Sequence, residues 1–274
     1  PLWHHGRLLR WPLQDGRVFS LDISTGAITI LHTFSSNSDG RTPDAPVALG
    51  PGGNYYGTAG YGGPLNNGTV YKVSTSGTFT LVHSFDGTDG STPQGGGLLF
   101  VRGPHPALFG VANYGGASGY GTIFGIDSSG LFKSIYSFDG THGSYPTGTL
   151  LAADGDVYGT TNGGGDFGKG TVFQLTPAGV VTVVHSFSGG TDGGTPSAGL
   201  ARATDGQLYG TTTAGGTLGY GTIFSITTGG TLATLYNFDA SGAGPSYLMQ
   251  HTNGKLYGTT NAGGTANLGT VFSF

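Results

Sequence analysis

Four polar side chains stand at equivalent places in successive copies of one short loop, Asp-Gly-x-x-Pro or a close variant of it. They are Asp39, Asp89, His142 and Asp192. Carboxylate oxygens favour Ca²⁺, and an added imidazole nitrogen admits Zn²⁺ or Mn²⁺. We therefore predict that the four converge on a divalent metal ion, Ca²⁺ being the first choice. In the alternative reading, each Asp stabilises its own turn by accepting backbone N–H bonds.

Two residues at these loops are assigned catalytic roles, His142 and Asp44. A metal held there could polarise an ester or phosphoryl oxygen and lower the pKa of a bound water. Asp44 is the only ionisable residue among those that directly follow the prolines, the others being Gln94, Thr147, Ser197 and Ser246. The alternative for Asp44 is a solvated strand start, because charged groups are usually exposed.

Departures from the repeat mark where a single site could arise in a symmetric scaffold. His105 and His251 fall in the turn between the first two predicted strands of their copies, where other copies have Asp-Gly or Gly-Gly. Tyr145 and Tyr247 add aromatic rings near the loop that carries His142. We predict that these four side chains bind substrate, with sequence drift as the alternative explanation.

Other histidines have a structural explanation. His32, His83 and His185 share one repeat position with Tyr136 and Tyr236. Exchange between His and Tyr beside a Phe indicates packing between repeats with a polar tip. The chain has no Ser-His-Asp order, phosphate-binding loop or paired-histidine zinc motif.

The elements that must position these residues come from a repeat of about 50 residues. The Tyr-Gly-Thr-Thr element starts at Tyr56, Phe109, Tyr158, Tyr209 and Tyr257, and Gly-Thr-Val-Phe follows 12 residues later each time. A third element, His-Ser-Phe, ends at Phe34, Phe85, Phe138, Phe187 and Phe238. A period of this size indicates units that stack or encircle an axis.

Each full copy is predicted to form four antiparallel strands. In the copy between residues 148 and 187 they are Gly148–Ala152, Asp156–Thr161, Gly170–Leu175 and Val180–Phe187. Val181, Val183, His185 and Phe187 alternate onto one face, which is the period of a strand. Four strands per repeat of this length predict an all-β fold, a β-propeller built from four-stranded blades.

Counting strands predicts five blades in one domain, residues 15–274. The ring would close when Ala27–Phe34 pairs with the three strands of residues 246–274 in a mixed final blade. Six blades with incomplete ends is the alternative. An open solenoid is the third arrangement, and it is disfavoured because its exposed edges invite aggregation.

Composition excludes several classes of protein. A formal net charge of −4 gives no reason to expect nucleic-acid binding, and the absence of cysteine excludes disulfides and thiolate chemistry. No apolar run approaches the roughly 18 residues that a membrane span needs. Low charge with abundant Gly, Ser and Thr suits a secreted or cell-surface protein, although no signal peptide stands at the front. We expect a monomer.

The first fourteen residues match no other part of the chain. Codons for Leu2–Gly6, read one base later, permit Tyr-Gly-Thr-Thr followed by Ala or Gly, at about the right distance before Gly16. We interpret residues 1–14 as an out-of-frame, cloning-derived reading of a further copy. His4 and His5 would then be accidental.

The repeated Tyr158–Thr161, Gly170–Phe173 and His185–Phe187 motifs, with the Asp-Gly-x-x-Pro loop, resemble the GloVer tandem repeat. The resemblance covers roughly residues 16–274. It implies an exported bacterial repeat protein, and it supplies no agreed activity and no catalytic residues.

Two functions remain open from the sequence. The first is metal-assisted hydrolysis of a small ester or phosphotriester in the axial channel, which propeller folds permit. An out-of-frame start, as in a cloned fragment kept for its activity, favours it slightly. The second is a non-catalytic exported scaffold that binds a glycan or a protein partner.

Overall fold

The computed structural model describes residues 16–94, 96–102 and 107–274, and the predicted all-β fold is confirmed for these residues. They form six antiparallel sheets in which consecutive strands are neighbours. The first sheet contains β1 (Arg17–Leu21) and β2 (Ile28–Thr33). Residues 1–14, and the interpretation placed on them, lie outside the described residues.

Four sheets of four strands follow. Their strands are β3 (Ala48–Leu49), β4 (Tyr55–Ala59), β5 (Thr69–Val73), β6 (Phe79–Ser84); β7 (Leu99–Val101), β8 (Ala107–Ala112), β9 (Thr122–Ile126), β10 (Phe132–Ser137); β11 (Ser144–Ala153), β12 (Asp156–Gly163), β13 (Thr171–Leu175), β14 (Val181–Ser186); and β15 (Ala201–Arg202), β16 (Leu208–Thr212), β17 (Thr222–Ile226), β18 (Leu232–Asn237). The last sheet has three strands, β19 (Pro245–Gln250), β20 (Leu256–Thr260) and β21 (Val271–Ser273).

The predicted bounds agree with the structure within a residue or two, apart from one strand start. β11 begins at Ser144, four residues before the predicted start at Gly148. Pro146 lies inside it, which an edge strand tolerates because one side of its backbone has no partner strand. The short β-strands elsewhere are separated by turns, including one 3₁₀ turn at Pro51–Gly53.

The repeat motifs are explained by contacts within one sheet. A Cβ added to Gly159 would lie 2.5 Å from the ring of Phe173, so the Gly of Tyr-Gly-Thr-Thr gives room for the Phe of Gly-Thr-Val-Phe. The hydroxyls of Thr161 and Thr171 lie 2.8 Å apart across β12 and β13, both buried. Buried hydroxyls need such partners, which accounts for threonine in both motifs.

The core lies between sheets, as predicted for stacked repeats. Val172 and Phe187 of one sheet pack against Phe224 and Ile226 of the next, all of them at most 1% exposed. The first strands of consecutive sheets also contact one another. Thr160 in β12 donates a hydrogen bond of 2.8 Å to the carbonyl of Ala198, which leads into β15.

The first and last sheets are the incomplete ones. β2 pairs with β1, and the strand pairs found in the described residues do not join β2 to β21. The described residues thus form six sheets, with two strands in the first and three in the last, while ring closure and blade number stay predictions. The part of the chain that the structure describes has no helix long and apolar enough to cross a membrane.

Candidate functional site

The loops that lead from the fourth strand of one sheet to the first strand of the next carry the predicted metal ligands. In three of these loops the Asp binds a histidine of its own repeat. His32, His83 and His185 each place Nε2 beside a carboxylate oxygen, at 2.8 Å from Asp39, 2.6 Å from Asp89 and 3.1 Å from Asp192. The backbone N–H groups of Ser35, Asp86 and Ser188 donate to the same carboxylates.

These contacts turn the carboxylates toward their own strands and not toward a common centre. Each pair is also largely enclosed, since the three histidine side chains are 19–23% exposed. Among the described residues, no group of three or more His, Cys, Asp or Glu side chains is placed to hold a metal ion. Asp39, Asp89, His142 and Asp192 therefore do not fit the predicted cation.

The His–Asp pairs were detectable in the sequence, although the prediction missed them. The histidine and the loop Asp occur together in three copies. In the copy where Tyr136 replaces the strand histidine, His142 replaces the loop Asp. Residues that change together within repeats are expected to touch, and here they do.

The altered copy carries a different pair, Asp139 and His142, which we call the dyad. Nδ1 of His142 lies 3.1 Å from Oδ2 and 3.2 Å from Oδ1 of Asp139. Both side chains are half-exposed, at 41% for His142 and 45% for Asp139. All hydrogen bonds of this imidazole to the described residues run through Nδ1, which leaves Nε2 without a hydrogen-bond partner among them.

The ionised state of Asp139 fixes the tautomer of His142. Desolvation alone would raise the pKa of Asp139, but hydrogen bonds from the His142 backbone, the Thr141 hydroxyl and the His142 ring lower it to about 2. The ionised carboxylate can only accept hydrogen bonds. Nδ1 of a neutral His142 therefore carries the proton, and its Nε2 keeps a lone pair on a half-exposed ring.

Three tyrosines lie beside the dyad, and we call Tyr114, Tyr120 and Tyr145 the tyrosine cluster. The ring of Tyr145 is 5.3 Å from that of Tyr114 and 6.0 Å from that of Tyr120. A Cβ on Gly140, the neighbour of Asp139, would lie 3.4 Å from the ring of Tyr120. The three side chains are 37–51% exposed, so their faces are accessible.

Tyr145 has an unusual backbone for a bulky residue, with φ of 57° directly before Pro146. Thr42, Thr92 and Thr195 repeat this geometry, and Gly244 holds the place in the last copy. The left-handed conformation thus belongs to the repeat, where it turns the chain into the next first strand. The aromatic side chain is particular to this copy.

The other predicted site residues do not join the dyad. Asp44 is exposed near the start of β3, and partial desolvation raises the pKa of its carboxyl, opposed by its own backbone N–H. His251 follows β19 at the end opposite Pro245, and its ring lies 5.8 Å from that of Tyr257. Tyr247 lies in β19 and is 55% exposed. His105 is outside the described residues.

Comparison with solved structures supports the β-propeller-like architecture. A protein assigned as a gluconolactonase is 15% identical with a TM-score of 0.53, and the alignment covers 86% of this chain and 79% of that one. An assigned 6-phosphogluconolactonase from Bacteroides uniformis is 14% identical with a TM-score of 0.56, covering 93% and 76%. At these identities the likeness concerns the fold alone.

A third similar structure is the extracellular domain of a hybrid two-component system from B. thetaiotaomicron. It is 15% identical with a TM-score of 0.52, covering 85% of this chain and 27% of that one. A search of curated proteins finds no significant match.

The repeat motifs decide the family. The model of the Gloeobacter/Verrucomicrobia repeat matches residues 100–272, well over half of the chain, and this stretch contains the dyad and the tyrosine cluster. The resemblance drawn from the Tyr-Gly-Thr-Thr and Gly-Thr-Val-Phe motifs is thereby confirmed. The chain belongs to the Gloeobacter/Verrucomicrobia repeat family.

Proposed function

We propose that the protein hydrolyses small esters, lactones among them, at the Asp139–His142 dyad. The observation that carries the proposal is the half-exposed imidazole of His142, which is held at Nδ1 by an ionised carboxylate while Nε2 has no hydrogen-bond partner among the described residues. A base within reach of water and oriented by a third group is the arrangement that general-base hydrolysis uses. Two proteins with a similar fold are assigned as lactonases, which agrees with the proposal but does not carry it.

The reaction balances with water as the only co-reactant. Nε2 of His142 takes a proton from water while the water oxygen bonds to the ester carbonyl carbon. The tetrahedral intermediate then expels the alkoxide, which receives the proton back from Nε2. Asp139 stabilises the transient imidazolium through the Nδ1–H bond and is not itself consumed.

The tyrosine cluster gives the substrate a surface to bind. Its three half-exposed rings border the dyad loop and offer apolar faces with hydroxyl tips. General-base assistance contributes about 10²–10⁴-fold to a rate. We therefore expect slow turnover of activated substrates and a still slower reaction with phosphotriesters.

The predicted metal-assisted route is not part of this proposal. A cation could polarise the substrate oxygen, but Asp39, Asp89 and Asp192 are each bound to a histidine of their own repeat. We therefore expect the rate of hydrolysis to be unchanged after extensive treatment with a chelator.

The first test compares variants of the dyad in chelated buffer. His142→Gln removes the base and keeps the side chain polar and half-exposed, so we expect kcat/KM for an activated ester to fall by about 100-fold or more. Asp139→Asn leaves a base with an unfixed tautomer and is expected to lower kcat more than it raises KM. Initial rates across substrate concentrations separate the two effects.

His251→Gln is the matched control, because His251 is also exposed and lies at the other end of its sheet from the connecting loops. It should retain the rate of the unsubstituted protein. Equal rates for His142→Gln and His251→Gln would show that the dyad does not catalyse the reaction. A rate that vanishes with the chelator and returns with added Ca²⁺ or Zn²⁺ would reinstate the metal route.

A second candidate function is glycan binding without chemistry, in keeping with an exported scaffold. The tyrosine cluster favours it, because exposed aromatic rings bordered by hydroxyl groups offer a partly apolar, partly polar platform. The substitution Tyr145→Thr tests this function. It restores the residue that other copies have at this position, and threonine there already adopts the same backbone conformation.

Tyr145→Thr should weaken binding to any glycan recovered from an array by about fivefold or more, since ring contacts of this kind are worth roughly 1 kcal/mol or more. His142→Gln should leave the same binding unchanged. Titration calorimetry measures both. Glycan binding that is unchanged in Tyr145→Thr would show that the tyrosine cluster is not the binding surface.

A further inference from the structure

A cavity of about 420 Å³ lies between the third sheet, β7–β10, and the fourth, β11–β14, and we call it the junction cavity. Its walls include the apolar side chains of Phe109, Ile135, Val157, Leu175 and Pro177. The turn before β10 borders it, whereas the dyad follows β10, so the two places lie at opposite ends of that strand. Sites for small molecules commonly have volumes of about 300–1,000 Å³ and mostly apolar walls.

A departure from the repeat opens this space. Position 125 in β9 is a glycine, on the face of the strand that also carries Ile123 and packs against the fourth sheet. The equivalent residues in the other complete sheets are Lys72, Gln174 and Ser225. In the fourth sheet the Gln174 side chain is held on the corresponding face by a hydrogen bond of 2.5 Å to Asp156. Gly125 leaves that volume empty.

The walls of the junction cavity are also apolar where another junction is polar. Between the fourth and fifth sheets, the hydroxyl of Tyr158 interacts with Thr228, which donates a hydrogen bond of 3.2 Å to Asp154. The residues at the same two repeat positions around the cavity are Phe109 and Pro177, and neither has a hydroxyl. Both partners of a polar contact are therefore apolar here, which favours an apolar occupant.

One lysine adds a charge to the wall of the cavity. Lys133 is exposed and lies directly opposite Gly125 in the pairing of β10 with β9. The equivalent residues are Thr80, Thr182 and Ala233. Lys133 forms no ion pair with a described residue. Asp127 also borders the cavity, but its Oδ1 accepts hydrogen bonds of 2.5–3.0 Å from Ser129 and Leu131 in its own turn.

We propose that the junction cavity binds a small monocarboxylate with an apolar body, such as a medium-chain fatty acid. The apolar chain lies against Phe109, Leu175 and Pro177, and the carboxylate accepts a hydrogen bond from the ammonium group of Lys133. Burial of the chain supplies most of the affinity, and the charged contact sets the orientation. This binding does not depend on hydrolysis at the dyad.

The test titrates decanoate into the full chain by calorimetry, at concentrations at which decanoate is monomeric. Comparison with octanoate should show about fourfold tighter binding for each added CH₂ that is buried. Decanol has the same chain without the charge and should bind about tenfold or more weakly than decanoate. Decylamine should bind more weakly than decanoate, because its ammonium group would face that of Lys133.

Two substitutions restore residues that other copies carry. Lys133→Thr should weaken decanoate binding about tenfold or more and leave decanol binding unchanged. Gly125→Gln should weaken the binding of both, because the new side chain fills the cavity. The nearest atom to a Cβ at position 125 is the flexible end of Ile135, at 2.9 Å. Lys255→Thr, at an exposed lysine of the last sheet, is the matched control and should bind decanoate as the parent does.

Several results would overturn the proposal. They are an absence of decanoate binding, equal binding by Lys133→Thr and Lys255→Thr, and tighter binding of decylamine than of decanoate. Decanoate binding that is unchanged in Gly125→Gln would also overturn it, since the ligand would then lie elsewhere. Lys133→Thr changes an exposed side chain, so it keeps the proposal testable even if Gly125→Gln does not fold. None of these measurements uses ester hydrolysis, and the two proposals therefore stand or fall separately.

Discussion

At the scale of single residues, one exchange separates the candidate site from its copies. Three repeats place an imidazole in the fourth strand and a carboxylate in the loop, and the two close on each other. The repeat that contains β10 instead has Tyr136 in the strand and His142 in the loop. The imidazole is therefore half-exposed and hydrogen-bonded through Nδ1 to Asp139 and Thr141, which is the arrangement on which the proposed general base depends.

The structural role of the enclosed pairs predicts a pH effect at Asp192. Desolvation tends to raise the pKa of Asp192, but hydrogen bonds from the Ser188 side chain and backbone and from His185 lower it below the ordinary value of 3.8. A carboxyl whose pKa is lowered in the folded state stabilises the fold above the unfolded value. That stability is lost as the pH falls from about 4 through the folded pKa.

Asp192→Asn should therefore melt at a lower temperature at neutral pH and show a flatter decline in melting temperature between about pH 5 and pH 2. Calorimetric scans at half-unit steps measure this. Asp166→Asn, an exposed carboxylate in a neighbouring loop, is the control and should keep the parent's slope. Parallel curves for Asp192→Asn and the parent protein would contradict a stabilising role for the pair.

At the scale of elements, glycines decide how closely adjacent sheets approach. Gly148 in β11 has φ of 71°, and a Cβ there would overlap the backbone nitrogen of Gly199 in the next repeat. Gly155 has φ of 92°, and no atom lies within 4 Å of its added Cβ. Alanine at either position would pay the cost of a left-handed backbone. Only at position 148 would its Cβ also clash with the next repeat.

Gly148→Ala should therefore lower the free energy of unfolding by about 3 kcal/mol or more, while Gly155→Ala should cost only about 1 kcal/mol. Denaturant titration measures both values. Equal losses would show that backbone conformation alone, and not contact between the sheets, makes glycine necessary at position 148.

The sequence predicts the elements better than it predicts the site. Motif spacing locates the strands because each motif has a packing reason, as with Gly159 beneath Phe173. His142 is found because it departs from the repeat, and Tyr145 for the same reason. Asp139 was missed because it shares the turn-forming role of Asp86 and Asp239, and only the structure shows it also accepting from an imidazole.

At the scale of the whole molecule, the first sheet differs from the complete sheets in how far its apolar side chains are exposed. Phe19 and Leu21 in the first sheet are 58% and 52% exposed, whereas the equivalent Tyr71 and Val73 are at most 1% exposed. A face that neighbouring sheets bury elsewhere is thus exposed in the first sheet. Each of the three loop carboxylates is bound to a histidine of its own repeat, and the described residues do not gather them into a group that could hold a metal ion.

The dyad is considered at this scale because it lies in one altered copy of an otherwise repeating series of sheets. The most direct test of its role removes the imidazole of His142 by mutation and supplies free imidazole from solution in its place. His142→Gly removes the base at a half-exposed position and leaves Asp139 in place to orient a small guest. Lactone hydrolysis by this variant should recover with added imidazole, in a saturable manner, to at least about a tenth of the parent rate. Recovery that is linear in imidazole, with the slope found without protein, would contradict a catalytic dyad.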